Sequence, residues 1–148
     1  MAFMRIICLG TLAIAAIEGA GLDAFLGKYE STDRRENTQA FAAALKQDDI
    51  HAKIINEFSA SGDEYHHKFS VPSKNYVQDL PFKLGEERQA AFNGTNYKYK
   101  YTLEGDSLKA NFDLPDRQVD QMFTFSGNEM VKTYKVGDVT AKVWFTKV

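Results

Sequence analysis

The chain is punctuated by glycine-centred turn signals: Ser61-Gly62-Asp63, Asn93-Gly94, Glu104-Gly105-Asp106, Ser126-Gly127-Asn128 and Val136-Gly137-Asp138. Asn-Gly and Gly-Asp pairs supply the positive φ values that tight hairpins require. Several stand about ten residues apart, and the runs between them are rich in β-formers. Tyr97-Lys98-Tyr99-Lys100-Tyr101 alternates aromatic and cation, the pattern of a half-buried strand. Met122 to Phe125, Met130 to Val136 and Thr140 to Phe145 supply further strands. Many short antiparallel strands with little else between them specify an up-and-down meander. Left open, such a meander would present an edge to other chains; closure into a barrel removes it.

One region breaks the pattern. Asn37 to Lys46 is rich in good helix formers, with Phe41 and Leu45 four apart on one face. Ser31, Thr32 and Asp33 upstream are candidate caps. Asp48-Asp49 suits the first turn of a second short helix. The expected architecture is all-β: a ten-stranded antiparallel barrel with a short helix-turn-helix lid near the N-terminus.

The opening stretch is different in kind. Arg5 is followed by a run without charge from Ile6 to Ile17 and then by small residues, the layout of a secretory signal peptide. A helix of that length spans about 18 Å, short of the roughly 30 Å hydrocarbon core, so an anchor fits less well. The expected division is therefore a leader over residues 1–20, cleaved after Ala15, Ala16 or Ala20, and one domain over 21–148. Removing the leader removes Cys8, the only cysteine, and with it any disulfide framework. The fold must then stand on its core, which about 128 residues can supply. A formal charge of −2 offers no basic face for nucleic acid.

Sharper chemistry finds little support. His66 and His67 point to opposite faces of a strand and cannot chelate one ion together, and no cysteine or acid cluster completes a site. There is no Gly-x-Ser-x-Gly turn and no phosphate loop. Neither an enzyme, a cofactor nor a metal is expected. Asn93-Gly94-Thr95 is a glycosylation sequon and also a plain hairpin turn.

Four stretches together resemble the fatty-acid-binding, or intracellular lipid-binding, proteins: Phe25-Leu26-Gly27-Lys28-Tyr29, the helical Asn37 to Leu45, Phe82-Lys83-Leu84-Gly85-Glu86-Glu87, and Val136-Gly137-Asp138-Val139-Thr140. The central one is the most specific. The resemblance implies a ten-stranded barrel capped by two short helices, holding a small hydrophobic ligand. Many members bind the ligand carboxylate through an Arg-x-Tyr on the last strand and a second arginine two strands earlier. The matching positions here are Val143, Phe145 and Phe123, all apolar. Such a set gives no charge-assisted contact. Lys132 shares parity with Met130 and Tyr134 and replaces that anchor in part if it points inward. A one-residue slip would turn it to solvent instead.

The expected role is a secreted monomeric carrier of a fatty acid, retinoid, sterol or pigment. Its ligand would be lined by Tyr99, Tyr101, Phe112, Phe123, Phe125, Lys132, Tyr134, Val143 and Phe145, with Phe41 and Tyr76 at a portal. The rivals are a barrel filled by its own aromatics, with a structural or interaction role, and, more remotely, a related barrel turned to catalysis. Interior volume separates the first two. On the closing strand, Ala141, Val143 and Phe145 should face inward, and Lys142 and Trp144 outward.

Overall fold

The structure, a computed structural model, describes residues 24–49, 51–92 and 94–148. The leader expected over 1–20 and the sequon asparagine, Asn93, lie outside the described residues. Ten strands follow in chain order: β1 (Gly27–Glu36), β2 (Ile55–Ser61), β3 (Glu64–Val71), β4 (Tyr76–Phe82), β5 (Arg88–Phe92), β6 (Thr95–Glu104), β7 (Ser107–Asp113), β8 (Gln118–Ser126), β9 (Glu129–Val136) and β10 (Val139–Lys147). All pairings are antiparallel, in the sheet order β4-β3-β2-β1-β10-β9-β8-β7-β6-β5. Because β1 pairs with β10, the meander closes on its own first strand, and the expected barrel is what forms.

The turn signals do what their chemistry allows. The β9–β10 hairpin pairs Val136 with Val139 across a two-residue turn in which Gly137 has φ +55°. Its second central residue, Asp138, is not among the positive-φ positions. Positive φ at the first position alone is the type II′ signature, whose twist matches that of the flanking strands. A second glycine matters for a different reason. Gly27, in the Phe25–Tyr29 stretch, has φ +141°, and a Cβ there would lie 2.6 Å from Lys147 Cε.

The ladder has one seam. β4 and β5 are the two ends of the sheet and are not hydrogen-bonded to each other. Side chains bridge the gap instead. Gln78 Nε2 donates to the Tyr97 hydroxyl, the Tyr99 hydroxyl donates to the Pro81 carbonyl at 2.5 Å, and Phe82 stacks on Tyr101 with centroids 4.1 Å apart. The Phe82–Glu87 stretch crosses this seam. Gly85 N–H donates to the Tyr101 carbonyl at 2.8 Å, and Arg88 just beyond it pairs with both Glu64 and Glu86.

The lid differs from expectation in two ways. Among the described residues a single α-helix, α1 (Thr38–Ala44), stands at the mouth, and Asp48-Asp49 are not helical. Lys46 takes φ +58°, which ends the helix, and Asp49 serves as a partner for the Thr38 hydroxyl at 3.2 Å instead of opening a new turn. Nor do Ser31, Thr32 and Asp33 cap α1, since they lie within β1. Ser31 instead supports a register shift in that strand. Its hydroxyl accepts from the Ile54 N–H at 2.8 Å and from Arg35 Nη2 at 3.1 Å where β1 parts from β2. The cap position falls to Asn37, whose side chain donates to the Thr140 carbonyl and ties the helix to β10.

Candidate functional site

The barrel interior has two halves. Away from the lid it is solid. Phe25 stacks on Phe125 at 4.2 Å, Phe58 meets Phe123 edge-on at 5.1 Å, and Met130, Leu108 and Phe145 are almost wholly buried among them. Towards the lid the side chains stop filling the space, and a cavity of about 840 Å³ opens beneath α1.

Period-two alternation places the residues that face it. On β10, Ala141, Val143 and Phe145 are buried, Lys142 is exposed, and half-buried Trp144 lies outside under the Arg34 guanidinium, 3.9 Å from its ring. Of the residues expected to line a ligand, Phe41, Tyr76, Phe112, Lys132, Tyr134 and Val143 border the cavity. Tyr99, Tyr101, Phe123, Phe125 and Phe145 belong to the solid half or the seam and do not border it. All are inward or core residues; what divides them is height along the barrel axis. At the mouth Phe41 packs on Tyr134 at 5.1 Å, and Tyr76 meets Phe92 at 5.4 Å. Arg117 Nη1 donates to the Ala44 carbonyl at 2.9 Å and holds the end of α1 to the β7–β8 loop.

Lys132 points inward, with only 1% of its surface exposed. Its ammonium donates to Asn56 Oδ1 at 3.2 Å and lies 4.7 to 5.1 Å from the rings of Phe69, Tyr134 and Phe123. Burial pushes its pKa down to about 7 from 10.5. The cation has ring faces and one amide oxygen for company, so losing the proton is the cheapest way to relieve its desolvation.

Lys132 ends a buried polar chain beneath the cavity, of which Lys132 and His67 border the space. His67 Nε2 lies 2.7 Å from Asn56 Oδ1, and His67 Nδ1 lies 2.6 Å from the Tyr101 hydroxyl. Burial, and then the charge of Lys132, holds the His67 pKa well below its usual value, so the imidazole is neutral. Burial also raises Tyr101 well above the ordinary phenol. One assignment of protons satisfies every link: Tyr101 donates to Nδ1, Nε2–H donates to Asn56 Oδ1, and Lys132 donates to the same oxygen. Two buried side-chain polar atoms remain without a protein partner among the described residues, Asn56 Nδ2 and Gln121 Oε1. Gln121 borders the cavity and sits diagonally across the β8–β9 ladder from Lys132.

From the sequence His67 is weighed only as half of a metal pair with His66, and Asn56 is not singled out. The signal was present: each falls on the apolar parity of its strand, His67 between Tyr65 and Phe69 and Asn56 between Ile54 and Phe58. His66, by contrast, faces outward to Asp79 at 3.1 Å, so the two histidines do diverge.

Comparison with known proteins gives this architecture its relatives. The chain is 46% identical to secretory-abundant heat soluble protein 1 of Ramazzottius varieornatus, across 83% of this chain and 76% of that one. It belongs to the secretory-abundant heat soluble protein family. Membership marks it as a secreted protein. A crystal structure of such a protein from Ramazzottius varieornatus superposes with a TM-score of 0.81 at 45% identity, covering 83% of this chain and 94% of that one. The fatty-acid-binding resemblance holds at the level of fold. Fatty-acid-binding protein 1 of Echinococcus granulosus superposes with a TM-score of 0.75, over 85% of this chain and 98% of that one, at only 21% identity. No family model matches the chain.

Proposed function

We propose that this secretory-abundant heat soluble protein carries a small, largely apolar ligand in the space beneath α1. The observation that carries the reading is the half-hollow interior: about 840 Å³, bordered by Phe41, Phe69, Phe112 and Val143 and floored by Lys132. That volume lies within the range of sites for drug-sized ligands, and a barrel filled by its own aromatics would lack it. Burying about 300 Å² of apolar ligand surface supplies roughly 7 kcal/mol before the costs of immobilisation. A fatty acid, retinoid, sterol or pigment meets the shape requirement. With apolar residues where related barrels carry Arg-x-Tyr, a neutral or weakly polar head is held at least as readily as a carboxylate. A carboxylate's route is Lys132.

The role is binding and not catalysis. The protein acts as a monomer, reaches its site through a cleaved leader over 1–20, and bears an N-linked glycan at Asn93. A mass loss on glycosidase treatment checks the glycan. The carrier role is tested by displacement of an environment-sensitive fluorescent probe from the ligand-free protein, using retinol, cholesterol and oleate as competitors. Intrinsic tryptophan emission is the wrong reporter, because Trp144 lies on the outer face beneath Arg34. Displacement by at least one competitor at micromolar concentration supports the reading. A folded protein that takes up neither probe nor competitor defeats it.

A further inference from the structure

The floor of the cavity holds an unusual combination. Lys132 is buried and borders an apolar space large enough for a ligand, and among the described residues its Nζ contacts no carboxylate. Its surroundings favour the neutral amine, as its lowered pKa reflects. A desolvated lysine amine with a free lone pair is the nucleophile that forms imines with carbonyl compounds. An ammonium serving only as a counter-ion would be expected beside acids, and its neighbours are three aromatic rings and an amide. The same Asn56 carboxamide that accepts from Nζ carries Nδ2, a buried donor with no protein partner among the described residues.

We propose that Lys132 is a covalent capture site for apolar aldehydes, which it binds reversibly as an imine inside the barrel. This rests on the carrier reading, since the aldehyde must first enter the cavity. The Nζ lone pair attacks the carbonyl carbon, and a proton passes from nitrogen to the former carbonyl oxygen to give a carbinolamine. That oxygen then departs as water, taking up the remaining proton of the nitrogen, while the nitrogen lone pair forms the C=N bond. The step involves no oxidant or reductant, and hydrolysis through the mouth reverses it. Asn56 Oδ1, 3.2 Å from Nζ, holds the amine in place at the floor. The occupant is an extended aldehyde whose apolar body lies against Phe41, Phe69, Phe112 and Val143, with the carbonyl at the floor.

The full secreted protein is incubated with an equimolar amount of all-trans-retinal, reduced with cyanoborohydride, digested and mapped by mass spectrometry. All-trans-retinol, which lacks the carbonyl, is titrated in parallel as a non-covalent ligand. The expected product is a single adduct, the aldehyde less one water plus two hydrogens, on Lys132. Its occupancy should be at least ten-fold that of outward Lys98 or Lys100. Lys132→Met and Lys132→Arg should abolish it, whereas Lys98→Met should leave it intact. If retinol binds but no adduct forms, or the adduct spreads evenly over surface lysines, the imine site is overturned and the carrier role stands. If neither compound binds, both fall. The wild-type peptide map alone decides the matter should the Lys132 variants fail to fold.

Discussion

Replacing Lys132 by methionine should make the protein more stable, by an amount that depends on pH. The change keeps a long side chain in the β9 position and removes the charge. In the native state burial lowers the lysine pKa to about 7 from 10.5. The unfolded chain therefore binds more protons at this site between those two values, and wild-type stability rises with pH across that window. The slope from this one group is about 1.4 kcal/mol per pH unit, and the full cost, fully present below pH 7, has a ceiling of about 5 kcal/mol. The hydrogen bond lost to Asn56 Oδ1 offsets about 1 kcal/mol, and that oxygen keeps its bond from His67. Water entering the cavity lowers the ceiling further. The variant should thus be more stable than wild type by about 2 to 4 kcal/mol at pH 6, with at least about 2 kcal/mol of that gain gone by pH 9. Urea unfolding of both ligand-free proteins at pH 6, 7, 8 and 9 measures the difference, in which the titration of other groups largely cancels. His67, the titratable neighbour within the floor, is held towards the neutral form chiefly by its own burial, which the substitution leaves in place. A gain that does not change with pH, or a variant less stable at pH 6, would refute the reasoning.

Three further substitutions test separate parts of the account. Tyr101→Phe removes the donor to His67 Nδ1 and should cost about 1 to 3 kcal/mol in urea unfolding; a neutral outcome would mean that the floor is not a connected chain. Gly27→Ala forces a side chain into φ +141° and against Lys147, and should cost at least about 1 kcal/mol, with an unchanged melting temperature counting against the strain. Phe41→Ala unseals the mouth at Tyr134. Ligand dissociation measured by stopped flow should accelerate several-fold, and an unaltered rate would place the entry route elsewhere.

Much of this architecture was legible in the residues, for local reasons. Gly137-Asp138 and its counterparts determine where the chain reverses, because few residues tolerate φ > 0 at the first turn position. The parity of Tyr97, Tyr99 and Tyr101 and of Ala141, Val143 and Phe145 gives the inward face, since a one-residue slip would expose the whole set. Parity does not give height along the axis. Phe123 and Val143 both point inward, yet one is packed in the solid half and the other borders the cavity. The seam between β4 and β5 was hidden because Phe82–Glu87 reads only as a family-like stretch, and its local sequence does not show that side-chain bonds replace the ladder there. The second lid helix was over-read from Asp48-Asp49, where a non-local bond to Thr38 prevails over local preference. Asn56 went unnoticed, and His67 was weighed only as a metal ligand, because each is ordinary alone; only the fold brings them to Lys132.

Native mass spectrometry of the protein as secreted, followed by titration of the emptied protein with all-trans-retinol and with oleate, addresses the central claim most directly. The cavity beneath α1 calls for a one-to-one complex, either already present from the secretion or formed at micromolar ligand, with the folded charge-state distribution kept. A protein that leaves the cell empty, stays folded and forms no complex with either ligand at micromolar concentration would contradict it.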